Sequence, residues 1–408
     1  MIKVLYISYD GMTDPLGESQ VIPYLKELSK QDIKITILSA EKQAIFESRK
    51  NYIQNILNES NIEWVPITYT KKPPVISTII DIRKIYKKAV KIYQNELFDI
   101  VHCRSYISAF AGLKLKQKYG VKFLFDMRGF YADERVDGNL WPQSNLIYKQ
   151  VYKYFKNKEK AFFSNADYTI SLTYAGKDII HNNFGFIDIP IEVIPCCADT
   201  NLFDYRNIET TSKETLQTDL NINKDDFVLS YLGSLGTWYM PDEMMRFFSV
   251  LVKYKPNAKF LIITKDNQDS IFALAKKYKI DNKHLIIRSA NREEVPLLLS
   301  LSNTSIFFIK PVFSKKASSP TKLAEILGMG IPVICNADVG DIDKFVPENN
   351  LGLMINSFYT ESLNNTCKQI DNLIKIDKEH LRSVAVELFS LDKGVKLYYG
   401  VYQKLMNK

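Results

Sequence analysis

Ser318-Ser-Pro-Thr-Lys-Leu-Ala-Glu-Ile-Leu-Gly-Met-Gly-Ile-Pro-Val-Ile334 reads as a loop, a helix and a strand in one short span. The polar loop ends at Pro320. An amphipathic run follows, Gly330 stands where a helix would cap, and Pro332 opens a β-branched strand. Such a strand, apolar on both faces, belongs in a parallel sheet covered by helices on each side. The pattern repeats on either flank. Strands are read at Phe227–Leu232, Lys259–Thr264, Leu285–Arg288, Thr304–Ile309, Pro332–Cys335 and Gly352–Ile355, with amphipathic stretches between them.

A second series fills the first half of the chain. Its strands are expected at Lys3–Ser8, Ile33–Leu38, Glu63–Ile67, Ile100–Cys103, Lys122–Asp126, Tyr168–Ser171 and Glu192–Ile194. Helical patterns include Glu18–Ser29, Ser77–Asn95, Ser144–Ala166 and, at the far end, Leu391–Leu405. Between the two series Arg206-Asn-Ile-Glu-Thr-Thr-Ser-Lys-Glu-Thr215 is polar without an apolar period, and reads as a linker. The expected fold class is therefore α/β, with two doubly wound, Rossmann-like domains in tandem. Ligand sites in such domains lie at the carboxyl ends of the strands, here expected to face one cleft.

The chain has 408 residues, enough for two cores, and its 46% hydrophobic and 25% charged content excludes a disordered protein. The opening apolar run is too short for a signal sequence and reads as the first strand. No apolar stretch approaches the ~18 residues of a membrane span, so a cytoplasmic protein is expected. The formal charge of +8 suits phosphorylated substrates or an anionic membrane face. Its lysines are spread along the chain without a basic stripe or a recognisable module, which disfavours nucleic acid. Cys103, Cys196, Cys197, Cys335 and Cys367 form no Cys-x-x-Cys pair and are read as buried apolar side chains.

The 318–334 segment resembles the nucleotide-sugar segment of family 4 glycosyltransferases, in which a loop precedes a helix bearing a glutamate and then a "GxPVI" strand. Three further segments are similar in the same order. They are Asp10–Tyr24, Ile194-Pro-Cys-Cys-Ala-Asp-Thr-Asn-Leu-Phe203, which resembles an "IPNGVDTxxF" turn, and Val339-Gly-Asp341. The resemblance covers nearly the whole chain. It implies a GT-B glycosyltransferase with residues 1–205 as an acceptor-binding domain and 206–225 as linker. Residues 226–385 would form the donor-binding domain, and 386–408 a helix packing back on the first domain. The implied chemistry is transfer from a nucleotide-sugar to a glycan or lipid-linked acceptor in bacterial surface polysaccharide assembly, such as lipopolysaccharide or capsule. A retaining course and independence from metal or other cofactor follow by the same analogy.

Donor contacts are assigned to Ser318, Ser319, Thr321, Lys322 and Glu325, with Gly233, Ser234, Gly236 and Lys265 around the phosphate. A helix amino end can hold phosphate, and a glutamate one turn on can accept from ribose hydroxyls. Two departures matter. The family's first glutamate would stand eight residues before Glu325, where Ala317 lies, and the stretch Gly233-Ser-Leu-Gly-Thr-Trp-Tyr-Met240 lacks the family's Arg and Lys. Two donors therefore stay open: a nucleoside diphosphate sugar with Lys322 as the substitute cation, or a CMP-sugar of the nonulosonic acid or Kdo type held by the paired serines.

On the acceptor side the catalytic candidates are Asp14, His102, Asp126 and Arg128, with Gly17, Glu18, Asp133 and Glu134 as acceptor contacts. Acids and arginines gathered after a strand end can orient a hydroxyl or pair with a phosphate. Asp341-Ile-Asp343 imitates a metal motif but stands at a helix start, where acids are favoured without metal. The helix from Leu146 to Lys160 interleaves lysines with aromatics. Such a face can rest on anionic lipid, although a core helix with stretched lysines is the favoured reading. Two other classes share this architecture: a nucleotide-sugar epimerase, and a non-catalytic nucleotide-sugar sensor or partner subunit.

Overall fold

The computed structural model describes residues 1–407 and divides into two compact units. Unit 1 contains Met1–Cys196, the short segment Lys316–Ser319 and the chain from Leu391 onward; unit 2 contains Cys197–Lys315 and Pro320–Ser390.

Unit 1 is built on a parallel sheet of seven strands: β1 (Ile2–Ser8), β2 (Ile33–Glu41), β3 (Glu63–Thr68), β4 (Ile100–Arg104), β5 (Lys122–Asp126), β6 (Tyr168–Ser171) and β7 (Ile191–Val193). Their order is β3-β2-β1-β4-β5-β6-β7. The reversal at β1 and β4 is the switch point that gives a doubly wound sheet its ligand-binding crevice. Every strand residue from Val4 to Ile7 is fully or nearly buried, which is why an unbroken apolar run rather than an alternating one encodes β1.

Unit 2 carries six parallel strands: β8 (Phe227–Leu232), β9 (Ala258–Ile263), β10 (Leu285–Arg288), β11 (Thr304–Phe307), β12 (Val333–Asn336) and β13 (Gly352–Ile355). The order β10-β9-β8-β11-β12-β13 repeats the switch between β8 and β11. Its core runs through Phe247, Phe248, Phe260, Ile306, Phe308 and Leu327. Arg382 is buried and locks the unit's entry segment. Its guanidinium donates to the carbonyls of Thr200 (3.0 Å), Phe203 (2.9 Å) and Gly328 (3.1 Å), and lies 2.7 Å from the Asp204 carboxylate.

Two local readings differ from the expectation. The helix expected over Glu18–Ser29 is two helices, Pro15–Gln20 and Ile22–Ser29, broken at Val21. Pro23 cannot donate a backbone hydrogen bond, so the second helix must start anew with that proline in its first turn. The stretch read as linker contains a helix, Thr210–Asp219, with no buried residue. Only Leu216 leans on the core, so this helix leaves no apolar period in the sequence. Among the described residues no helix is long and apolar enough to cross a membrane.

Candidate active site

In unit 2 the chemistry gathers at the carboxyl ends of β8 to β11. The turn after β8 begins with Gly233 at φ +113°, a conformation that side-chain-bearing residues rarely adopt. A Cβ at Gly233 would sit 3.1 Å from Lys322 Nζ, so the lysine amine lies directly beneath the turn. Much of the turn's own hydrogen-bonding capacity is already used. Gly233 N–H donates to the Ile263 carbonyl, Leu235 N–H to Asp266 and Gly236 N–H to Ser234 Oγ, while Ser234 Oγ donates to Asp266 at 3.0 Å. Asp266 thus fixes the turn's shape, and the side chains beneath it have to supply charge.

Lys322 supplies it. The residue stands in the first turn of the helix Thr321–Gly328, buried, with Nζ 3.2 Å from Tyr231 Oη and 3.6 Å from the centre of the Tyr239 ring. Among the described residues no carboxylate reaches ion-pair distance of this amine. Burial pushes its pKa well below the ordinary lysine value, opposed only by the field of Glu325. Lys315 is also buried and sits 3.8 Å over the Trp238 ring. The turn that lacks a cation in sequence therefore has two lysines against its aromatic residues, one of which sequence reading passed over. Lys265, by contrast, is exposed.

Glu325 lies one turn beyond Lys322, nearly buried, and its Oε1 accepts from Arg292 Nη1 at 2.8 Å. Arg292 comes from the loop after β10 and stacks over Phe203 at 5.1 Å. It was not among the expected residues, and no local motif marks it. Among the described residues the other Glu325 oxygen accepts no hydrogen bond, and it is the one available to a diol. Thr321 opens the helix, where its N–H and that of Lys322 point out of the first turn. Ser318 and Ser319 group with unit 1 rather than with this helix. Ser319 Oγ there accepts from Cys196 N–H at 3.1 Å.

In unit 1 His102 and Asp126 end β4 and β5 side by side, and both are buried. Asp126 Oδ2 accepts from Tyr398 Oη at 2.9 Å and lies 3.5 Å from His102 Nε2, while His102 Nδ1 meets Tyr402 Oη at 2.7 Å. Both tyrosines come from the helix Leu391–Met406. Arg128 adopts φ +61°, donates to Cys196 Sγ at 3.2 Å and stands 3.8 Å from Asp126 Oδ1. Burial alone would raise the Asp126 pKa, but the Arg128 guanidinium, with His102 and Arg104, holds the carboxyl below its usual range. Burial lowers His102, which leaves a neutral imidazole beside an ionised carboxylate. Three of the four catalytic candidates, His102, Asp126 and Arg128, are thus brought together, and the Leu391–Met406 helix packs against them.

The other candidates of unit 1 are dispersed. Asp14 Oδ2 pairs with Lys42 at 2.9 Å, and its buried Oδ1 has no partner. Glu18 pairs with Arg49 at 2.7 Å. Gly17 is a packing position, since a Cβ would come 2.2 Å from the Gly11 carbonyl. Asp133 accepts from Tyr152 Oη at 2.9 Å and Lys156 Nζ at 2.8 Å, and Glu134 stands beside Gly129. The loop after β1 carries its own anion: buried Glu41 accepts from Met12 N–H (2.7 Å), Thr13 N–H and Thr13 Oγ1 (2.6 Å). Asp343 accepts from Asp338 N–H at 2.8 Å. Among the described residues no group of His, Cys, Asp and Glu is arranged to hold a metal ion.

Two parallel sheets with paired switch points, one of them bearing a buried lysine and a glutamate below a glycine turn, define a two-domain glycosyltransferase of the GT-B type. Residues 18–202 match Glycosyltransferase Family 4 and residues 212–382 match Glycosyl transferases group 1, so the chain is a family 4-like glycosyltransferase. It is 23% identical, over the full length of both chains, to the uncharacterized glycosyltransferase MJ1069 of Methanocaldococcus jannaschii. Among solved structures it is similar to a glycosyltransferase from Rickettsia africae (TM-score 0.72, 15% identity, 99% and 98% of the two chains). It is also similar to Anabaena HepE in complex with UDP and glucose (TM-score 0.68, 12% identity, 99% and 100%).

Proposed function

We propose that the enzyme transfers a sugar from a nucleoside diphosphate donor held by unit 2. The acceptor is a glycan or lipid-linked glycan, and the pathway is bacterial surface polysaccharide assembly of the lipopolysaccharide or capsule kind. The observation that carries the donor class is Lys322, a buried amine without a carboxylate partner beneath the Gly233 turn. An ammonium in that setting is costly until an anion arrives. A diphosphate meets the need: its charge draws the proton onto Lys322, and the ammonium stabilises the leaving group as the glycosidic bond breaks. Lys315 adds a second cation to the same turn. Glu325, held by Arg292 through one oxygen, accepts from the ribose hydroxyls with the other. The first-turn N–H groups of Thr321 and Lys322 complete the cradle.

In this reading the nucleotide-sugar is a substrate, no metal or separate cofactor takes part, and the transfer retains configuration. A CMP-sugar is less well supported, because Ser318 and Ser319 group with unit 1 rather than with the helix that carries Lys322 and Glu325. The UDP and glucose bound by HepE agree with a diphosphate donor. A thermal-shift series with UDP, GDP, ADP, CDP and CMP tests the donor. A nucleotide at ~100 times its Kd adds about 2.7 kcal/mol of stability. A rise with one or more diphosphates and none with CMP is expected, and a rise with CMP alone overturns the proposal.

A further inference from the structure

Three helices of unit 1, Ile76–Asn95, Ser105–Tyr119 and Leu146–Asn165, cover one face of the sheet side by side. Lys114 sits 4.7 Å over the Tyr86 ring and Tyr119 stacks on Tyr93 at 4.7 Å, joining the first helix to the second. Phe110 packs on Tyr154 and Phe155, joining the second to the third. All three lie in crossovers between parallel strands, so their amino ends share the carboxyl edge of the sheet.

The two outer helices leave large apolar side chains uncovered at that shared edge. Leu146 is 78% exposed and Ile147 68%; Ile76 is 55% and Ile79 45%, and Leu140 also faces solvent just before the third helix. The expected core helix at Leu146–Lys160 packs on the core through Tyr148, Val151, Tyr152 and Phe155, and of its apolar residues only the first two, Leu146 and Ile147, stand wholly clear of it. Charge on this face has one sign. The first helix carries five Lys or Arg residues, the second three and the third five. The only acids in the three helices are Asp81 and Glu159, and both are buried. Arg83, Lys87, Lys91, Lys149, Lys153 and Lys160 project into solvent, and Lys71 and Lys72 extend the positive field beside Ile76.

We infer that this face docks on an anionic lipid bilayer. Apolar tips set among cations with no exposed acid in the helices fit the boundary between acyl chains and acidic headgroups. A protein partner would have to present a large acidic surface with apolar sockets at two separate places, whereas a bilayer offers both everywhere. The inference stands on this surface alone and is independent of which donor the enzyme uses.

Vesicle flotation of the full chain, without nucleotide or acceptor, tests it. The two vesicle types are phosphatidylcholine alone, and an equal mixture of phosphatidylcholine and phosphatidylglycerol. The protein should float with the mixed vesicles, remain behind with phosphatidylcholine alone, and be released by ~1 M salt, where the screening length falls to ~3 Å. The variants I76D/I79D and L146D/I147D should each lower affinity at least about tenfold, since each places two acids where about 1 kcal/mol per favourable charge was available. Acids in a first helical turn favour the helix, so loss of binding would not reflect loss of fold. The control I187D, at an exposed site off these helices, should bind as the native chain does. The inference is overturned if the native chain floats with neither vesicle type or equally with both, or if the variants float undiminished. It is also overturned if the native chain runs as a dimer that the variants convert to monomer.

Discussion

Replacing Lys322 by Met should weaken donor binding and strengthen the fold at the same time. The amine is buried between Tyr231 and Tyr239 with no carboxylate in reach, and burial holds its pKa well below the ordinary value. Removing a charge-assisted contact to phosphate costs about 1.5–3 kcal/mol, a loss of roughly 10- to 150-fold in affinity for UDP or whichever diphosphate binds. Replacing a buried amine that lacks a full set of hydrogen-bond partners by a well-packed apolar side chain stabilises by about 1–3 kcal/mol. In a unit of this size each kcal/mol raises Tm by about 2–4 °C. The pH dependence follows from the direction of the shift. The unfolded chain binds this proton more tightly than the folded one, so stability is lost as pH falls from the ordinary lysine value toward the depressed folded value. Bound diphosphate reverses the preference, so affinity should fall as pH rises through the same window. Calorimetric titration with the diphosphate across pH, beside thermal melts of native, K322M and K322R proteins, measures both. Undiminished affinity in K322M, or a melting temperature lowered by several degrees, would refute the reasoning. A K322R profile as steep as the native one would also count against it, because arginine does not titrate there.

Glu325→Gln should reduce diphosphate affinity by about tenfold, the effect of one hydrogen bond to a charged acceptor. Calorimetry with the nucleotide and with its 2′,3′-dideoxy analogue should show that the two differ much less in the variant. Tyr398→Phe leaves buried Asp126 without its shortest donor and should destabilise unit 1 by about 1–3 kcal/mol, read as a lower urea midpoint. Arg382→Ala strips partners from three carbonyls and from Asp204 inside unit 2. A loss of about 3–5 kcal/mol is expected in denaturation of that unit.

The strands were legible because buried parallel strands are written as short unbroken apolar runs, and all those expected in both series are present. Lys322 and Glu325 were legible because one helix carries both, so spacing alone sets them a turn apart. Arg292 and Lys315 were not, since Arg292 reaches Glu325 from the loop after β10, Lys315 reaches Trp238 from another segment, and neither carries a motif. The same holds for the cluster in unit 1. His102, Asp126 and Arg128 stood out as strand-end polar residues, yet nothing local says that Tyr398 and Tyr402, some 270 and 300 residues away, would cap them. A side chain's partner across the fold is set by tertiary packing, which periodicity does not encode. The helix from Leu146 packs on the core as its apolar spacing implies, but that spacing does not say that Leu146 and Ile147 at its start are left uncovered.

The segment from Leu391 completes the first unit only after all of the second has been made. On the ribosome, the nascent N-terminal sheet therefore waits through the synthesis of some two hundred residues with Asp126 and His102 lacking their tyrosine donors and an apolar seat uncovered. Domains that form as contiguous stretches can fold in order of emergence; this one cannot finish until the whole of unit 2 has been made. Its half-built state is the one most in need of chaperone protection, and a chain cut short at Ser390 would leave that state permanent.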